Sequence, residues 1–283
     1  MVVSSVSSNL RSLEDKESKT KDIQSLQRHS TSEIEAILRR TIEINEKYVD
    51  KVSSSLNEIQ KLFYKDSDGL YATAGTKEKK IHLNALIGVI NYFNDNKEES
   101  KNILESIHKQ KDKKGHYPLN ISSEDRSQVA DLFVSILEFF SGNKDESIRL
   151  MKLNGYQKDR NGLFTSVNNQ YTVLSYPNLI KGIAEAINGQ PKKAQKILNT
   201  LEEKVGKNES GILYVSNDNK RIYPDVVITV ATLKLFTEGI GKSEEYLLSS
   251  SISTFDTLEG VLTEAFHAFT VLNMLSTKGI NKK

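Results

Sequence analysis

The sequence predicts an all-α fold: an α/α toroid of about six helix hairpins with a repeat of about 47 residues. Three observations carry this. A glycine followed closely by an aromatic recurs at Gly69-Leu70-Tyr71, Gly115-His116-Tyr117, Gly162-Leu163-Phe164 and Gly211-Ile212-Leu213-Tyr214, with glycine spacings of 46, 47 and 49. Each loop leads to an apolar helical pattern and then a more charged one, the signature of a buried helix paired with a surface helix. Long loops of about 15 residues alternate with very short turns, which gathers all the long loops at one end and favours closure over an open solenoid.

In chain order, the apolar helices are expected over residues 82–93, 129–140, 177–187 and 224–236. Each stops at a turn signal: Asn94-Asp95-Asn96, Gly142-Asn143, Asn188-Gly189 and Gly239-Ile240-Gly241. The charged partners are expected over residues 97–108, 145–153 and 191–205. Ser30-Thr31-Ser32-Glu33 reads as a capping box that opens a helix to residue 48, followed by a second over residues 53–64. Residues 258–275 read as a long apolar helix. The count is six inner and five outer helices. Residues 1–30, Ser-rich and charged with sparse apolar positions, are set apart as a partly helical or disordered segment before a toroid domain of residues 31–283.

Register adds a polar stripe. Asn84, Asp131, Asn178 and Asp225 are spaced by 47 each time, and following each at i+4 and i+7 gives Asn84-Gly88-Asn91, Asp131-Ser135-Glu138, Asn178-Gly182-Glu185 and Asp225-Thr229-Thr232. Gly260-Glu264-His267 extends the set on the last helix. Such positions share one helix face. Burying polar groups unpaired costs about 1–3 kcal/mol each, so a water-filled central cavity is the expectation that satisfies them together. Helix capping is the competing explanation, strongest where Pro177 and Pro224 mark helix starts beside Asn178 and Asp225. It fits Asp131 less well, because Ser122-Ser123-Glu124-Asp125 offers a start that leaves Asp131 about two turns inside.

Composition narrows the chemistry. Without cysteine, thiolate nucleophiles, disulfides and cysteine-ligated metals are excluded. A net charge of +2 from 39 basic and 37 acidic residues gives no reason to expect a nucleic-acid or membrane-surface partner. The N-terminus lacks a signal-peptide pattern and no apolar run reaches membrane-spanning length, so a cytoplasmic location is the expectation. No phosphate loop, zinc-spaced histidine pair or nucleophile elbow is present, and neither a metal nor a cofactor is expected. What remains is carboxylates and aromatics near one end of a cavity. Asp131, Asp225 and Glu264 are the catalytic candidates, as an acid/base pair for glycoside chemistry needs two carboxyl groups. Asp68, Tyr71, His82, Asn84, Tyr117, Asn178, Tyr223 and His267 are the ligand-binding candidates, with aromatic faces for sugar rings.

The succession of helix pairs with Asp-Gly-Leu-Tyr-like loops resembles the α/α-toroid superfamilies over about residues 32–277, and within it Asp68-Gly69-Leu70-Tyr71 followed by His82-Leu83-Asn84-Ala85-Leu86 resembles the six-hairpin glycosidases. The stretches from Asp125-Arg126 to Gly142 and Thr263-Glu264-Ala265-Phe266-His267-Ala268-Phe269 resemble prenyltransferase and terpenoid-cyclase repeats. The first resemblance implies a carbohydrate-binding or carbohydrate-processing toroid with an oligosaccharide or other small-molecule ligand. The second implies isoprenoid binding, although the zinc-binding cysteine and the tryptophan motifs of those families are missing. A non-catalytic helical-repeat module with a protein partner is the alternative from a different class.

Overall fold

The computed structural model describes residues 31–121, 127–153, 158–166, 169, 171–250 and 258–280. The proposed N-terminal segment, residues 1–30, lies outside them. Ten α-helices and one two-stranded hairpin are present among the described residues: α1 (Thr31–Leu62), β1 (Phe63–Lys65), β2 (Tyr71–Thr73), α2 (Ile81–Phe93), α3 (Lys97–His108), α4 (Gln128–Phe140), α5 (Lys144–Lys152), α6 (Ser175–Ile187), α7 (Pro191–Val205), α8 (Pro224–Thr237), α9 (Ile240–Ser249) and α10 (Leu258–Ile280). The chain divides into two compact units, one of Met1–Ser54 with Ala268–Lys283 and one of Ser55–His267. The second contains all four glycine-aromatic loops.

In that unit, hairpins α2/α3, α4/α5, α6/α7 and α8/α9 each pair an apolar helix with an amphipathic one. All ten residues from Ile81 to Ile90 on α2 are buried, whereas α7 buries only Ala194, Leu198, Leu201 and Val205, a one-sided stripe. The apolar helices pack in sequence, α2 on α4, α4 on α6 and α6 on α8. Close approach along this row uses glycine: a Cβ at Gly88 would lie 2.8 Å from Leu137 Cδ2, and one at Gly182 would lie 2.9 Å from Leu233 Cδ2. Two contacts link α10 to both ends of the row. The Phe266 ring lies 6.5 Å from Phe93 at the end of α2, and His267 Nδ1 lies 3.0 Å from Thr232 Oγ1 on α8.

Two expectations are corrected. Residues 31–62 form one helix rather than two; the serines near residue 53 do not break it, because Ser53 Oγ donates back to Val49 O at 3.0 Å. Helix α4 begins at Gln128, with Ser127 Oγ accepting from Ala130 N, so Asp131 sits in the first turn rather than two turns inside.

Candidate functional site

The four glycine-aromatic loops share one construction. In each, an Asp or Asn three residues before the glycine opens a tight turn, and its N–H is bonded to the carbonyl of the residue after the glycine: Asp66 to Leu70, Asp112 to His116, Asp159 to Leu163 and Asn208 to Ile212, all at 2.9 Å. The glycines have φ of 84°, 84°, 78° and 79°, the left-handed region that explains why this residue recurs.

The stripe residues fasten these loops. Asn84 Oδ1 accepts from Tyr71 N at 2.6 Å, and its Nδ2 donates to Tyr71 O and Lys80 O, both at 3.0 Å. Asn178 repeats the arrangement, accepting from Phe164 N at 2.9 Å and donating to Phe164 O at 3.0 Å and Leu174 O at 2.7 Å. Each asparagine lies one turn inside its helix, where its Cβ points back toward the N-terminus and the loop. At the other end of the stripe, Asn91 and Glu138 tie the short turns. Asn96 Nδ2 donates to Asn91 Oδ1 at 3.1 Å, and Asn143 Nδ2 donates to Glu138 Oε2 at 2.8 Å. Ser135, Thr229 and Thr232 hydroxyls donate to carbonyls within their own helices. These stripe residues are met by protein atoms: Asn84, Asp131, Ser135, Glu138, Asn178, Thr229 and Thr232 are all buried.

The second repeat departs from this plan. Asp131 Oδ1 accepts from Tyr117 N at 2.9 Å, but a carboxylate has no N–H for the Tyr117 carbonyl. Its second oxygen instead faces His116 Nδ1 at 2.8 Å. His116 stands where the first and third repeats carry Leu70 and Leu163, so the His–Asp pair replaces a Leu–Asn pair. Burial raises the Asp131 pKa, opposed by the bonds from His116 and Tyr117. The Tyr117 hydroxyl is buried without a hydrogen-bond partner among the described residues, and desolvation drives its pKa upward. His108 Nε2 lies 2.6 Å from the fully buried Glu138. Nearby, Glu146 is gripped by Arg149 at 2.5 and 2.7 Å and by Lys111 at 2.5 Å, and these bonds lower its pKa to about 2.

The fourth repeat also differs. Its glycine and stripe residue, Gly211 and Asp225, are two residues closer in sequence than Gly162 and Asn178, α8 starts at Pro224, and Asp225 falls at the second helical position. The loop N–H that Asn84 or Asn178 would hold, that of Leu213, donates instead to the Tyr246 hydroxyl of α9 at 3.0 Å.

The remaining candidates are dispersed. Asp68 is exposed and pairs with Lys79 at 2.7 Å. The Tyr71 hydroxyl donates to Glu99 at 3.0 Å, and burial followed by that carboxylate raises its pKa to about 12. His82 is buried 6.4 Å from the Phe133 ring. His267 is buried; the Thr232 hydroxyl proton is committed to Ile228 O, so the histidine Nδ1–H is the donor in their contact. Asp225 and Glu264 are half-buried on α8 and α10. Tyr223 is 41% exposed and Tyr171 is 77% exposed. Their long loops are joined: Asn217 accepts from Val173 N and donates to Tyr171 O, both at 2.8 Å, and Thr172 donates to Asp218 at 2.6 Å. Among the described residues, no three His, Asp or Glu side chains converge as metal ligands, and no helix is long and apolar enough to cross a membrane.

Fold and site together define a class: a mainly helical protein whose described residues form fastened helix hairpins. No family model matches the chain, and no curated protein matches it. Among solved structures it is similar to a chain described as a novel alpha-amylase from Clostridium perfringens, with a TM-score of 0.41 and 10% identity over 80% of this chain and 97% of that one.

Proposed function

We propose that the hairpins close into a ring and that the protein binds carbohydrate at the long-loop end. The contacts of α10 with both α2 and α8 support closure. The observation that carries the ligand reading is the pair of exposed tyrosines, Tyr171 and Tyr223, on cross-bonded loops rich in amide and carboxylate groups. Aromatic faces beside hydrogen-bonding side chains suit a sugar, which presents an apolar ring face edged by hydroxyls. Titration calorimetry against neutral gluco-, xylo-, manno- and chito-oligosaccharides tests this. Wild type should bind at least one, and Tyr171→Ala with Tyr223→Ala should lose that binding with an unchanged melting temperature. Absence of binding to the whole panel, or equal binding by the double variant, defeats the reading.

For a glycosidase-like activity, Asp131, Asp225 and Glu264 are the candidate acid and base, of which Asp225 and Glu264 are half-buried and Asp131 is held by His116 and Tyr117. Release of reducing ends from a bound oligosaccharide is the assay. The second reading, a non-catalytic repeat module, draws on the same engagement of buried carboxylates, Asp131 by His116 and Glu138 by His108 and Asn143. It predicts sugar-independent capture of a protein partner and no turnover.

A further inference from the structure

Tyr171 is 77% exposed, yet the chain that carries it is tied at every backbone polar group from its own N–H to that of Val173. Tyr171 N donates to Asn169 Oδ1 at 3.0 Å and Thr172 N to Asn169 O at 2.9 Å, which closes a turn within the third-repeat loop. Ser166 N donates to Thr172 O at 2.8 Å. The other two groups go to one side chain of the fourth-repeat loop: Asn217 Oδ1 accepts from Val173 N and its Nδ2 donates to Tyr171 O, both at 2.8 Å. A carbonyl and an N–H two residues apart are what a neighbouring β-strand bonds. The Asn217 amide thus extends, by side chain, the pairing that Leu174 and Ser216 begin with their backbones.

Asp218 adds a second tie. Its Oδ1 accepts from the Ser216 hydroxyl and its Oδ2 from the Thr172 hydroxyl, both at 2.6 Å. The bonds from Ser216 and Thr172 hold its carboxyl below the usual carboxylate range, so at neutral pH both oxygens are free to accept. With the Tyr171 ring left in solvent, this set of bonds gains the fold little apolar burial from it. What the bonds fix is the path of the chain under the ring. An aromatic on a free loop gives up that freedom on meeting a ligand, and the ordering cost is subtracted from affinity; a loop already ordered escapes it.

We propose that Asn217 and Asp218 are positioning residues that hold Tyr171 as a pre-set stacking platform, so that the binding surface of the third repeat is completed by the loop of the fourth. The ligand role of Tyr171 rests on the carbohydrate reading above; the fixing of Tyr171 by the fourth-repeat loop does not depend on it.

The test has two arms, both on the full chain. Without ligand, NMR relaxation of the Tyr171, Thr172 and Val173 amides should give order parameters of about 0.85 in wild type and below about 0.6 in Asn217→Ala. Asn217→Asp keeps the acceptor for Val173 N and loses the donor to Tyr171 O, so it should fall between. Ile103→Val, a truncation at a fully buried position on α3, should lower the melting temperature and leave these amides unchanged, which separates positioning from general stability. With an oligosaccharide that wild type binds, calorimetry should show Asn217→Ala and Asp218→Ala each weakened roughly two- to tenfold although Tyr171 is intact. Thr172→Val combined with Asp218→Ala should bind no more weakly than Asp218→Ala alone, since both remove the same bond. Low order at Tyr171 in wild type, or unchanged order in Asn217→Ala, overturns the proposal whatever the sugar does. Equal sugar affinity in wild type, Asn217→Ala and Asp218→Ala overturns it while the carbohydrate reading stands. An ordered Tyr171 that loosens in Asn217→Ala, in a wild type that binds no sugar, upholds the fixing of Tyr171 and defeats the carbohydrate reading alone.

Discussion

Exchanging the fastener of the second repeat for that of its neighbours is a sharp test of how the stripe works. His116→Leu leaves the Asp131 carboxylate, 4% exposed, with only the Tyr117 N–H. Breaking a buried pair by removing one partner costs about 3–5 kcal/mol. Asp131→Asn leaves the buried His116 ring without its carboxylate acceptor, a loss of about 1–3 kcal/mol. The double variant recreates the Leu70–Asn84 and Leu163–Asn178 arrangement, in which the amide serves both the N–H and the carbonyl of the following residue. It should lie within about 1 kcal/mol of wild type, which makes the coupling about 3 kcal/mol or more. Urea unfolding followed by circular dichroism measures all four corners of the cycle. A pH arm adds a signed expectation. Burial raises the folded Asp131 pKa above its ordinary 3.8, so the folded state holds that proton more tightly than the unfolded state does. The burial penalty is absent below the ordinary carboxylate range and grows as pH rises through the folded value. Acidification should therefore narrow the deficit of His116→Leu. If the two single effects add within about 0.5 kcal/mol, the exchange of Leu–Asn for His–Asp is not a coupled fastener and the reasoning fails.

Gly88→Ala gains about 1 kcal/mol of helix propensity but drives a Cβ to 2.8 Å from the fully buried Leu137, for about 1–3 kcal/mol of overpacking. A net loss of up to about 2 kcal/mol in urea unfolding is expected, smaller in a Leu137→Val background. Glu146, whose pKa falls from 4.5 to about 2, contributes stability that is present above pH 4.5 and lost as pH drops toward 2. Glu146→Gln should flatten that acid limb in a melting-temperature profile, by about 1 kcal/mol once solvent screening of the partly exposed pair is allowed for.

Much of the fold is visible in residue order because the repeat is local. Apolar runs closed by Asn-Gly or Gly-Asn signals define α4, α6 and their turns within two residues. Helix α1 is less visible, since Val49-Asp50-Lys51-Val52-Ser53 resembles a break, and only the bond from Ser53 to Val49 O shows that the serine is accommodated. The site is harder to read. The register of Asn84, Asp131 and Asn178 is plain in the sequence, yet a polar residue in register fits a cavity lining, a helix cap or a loop fastener equally well. The spacing that decides among them is 13 or 14 residues back to Tyr71, Tyr117 and Phe164.

The short span of each fastener bears on how the chain is made. The asparagine that grips Tyr71 or Phe164 follows it by less than one hairpin, so a nascent repeat can latch its own loop before the next repeat leaves the ribosome. The fourth loop has no such arrangement. Its Leu213 N–H waits for Tyr246, 33 residues downstream, which makes it the last of the four loops to be secured during synthesis.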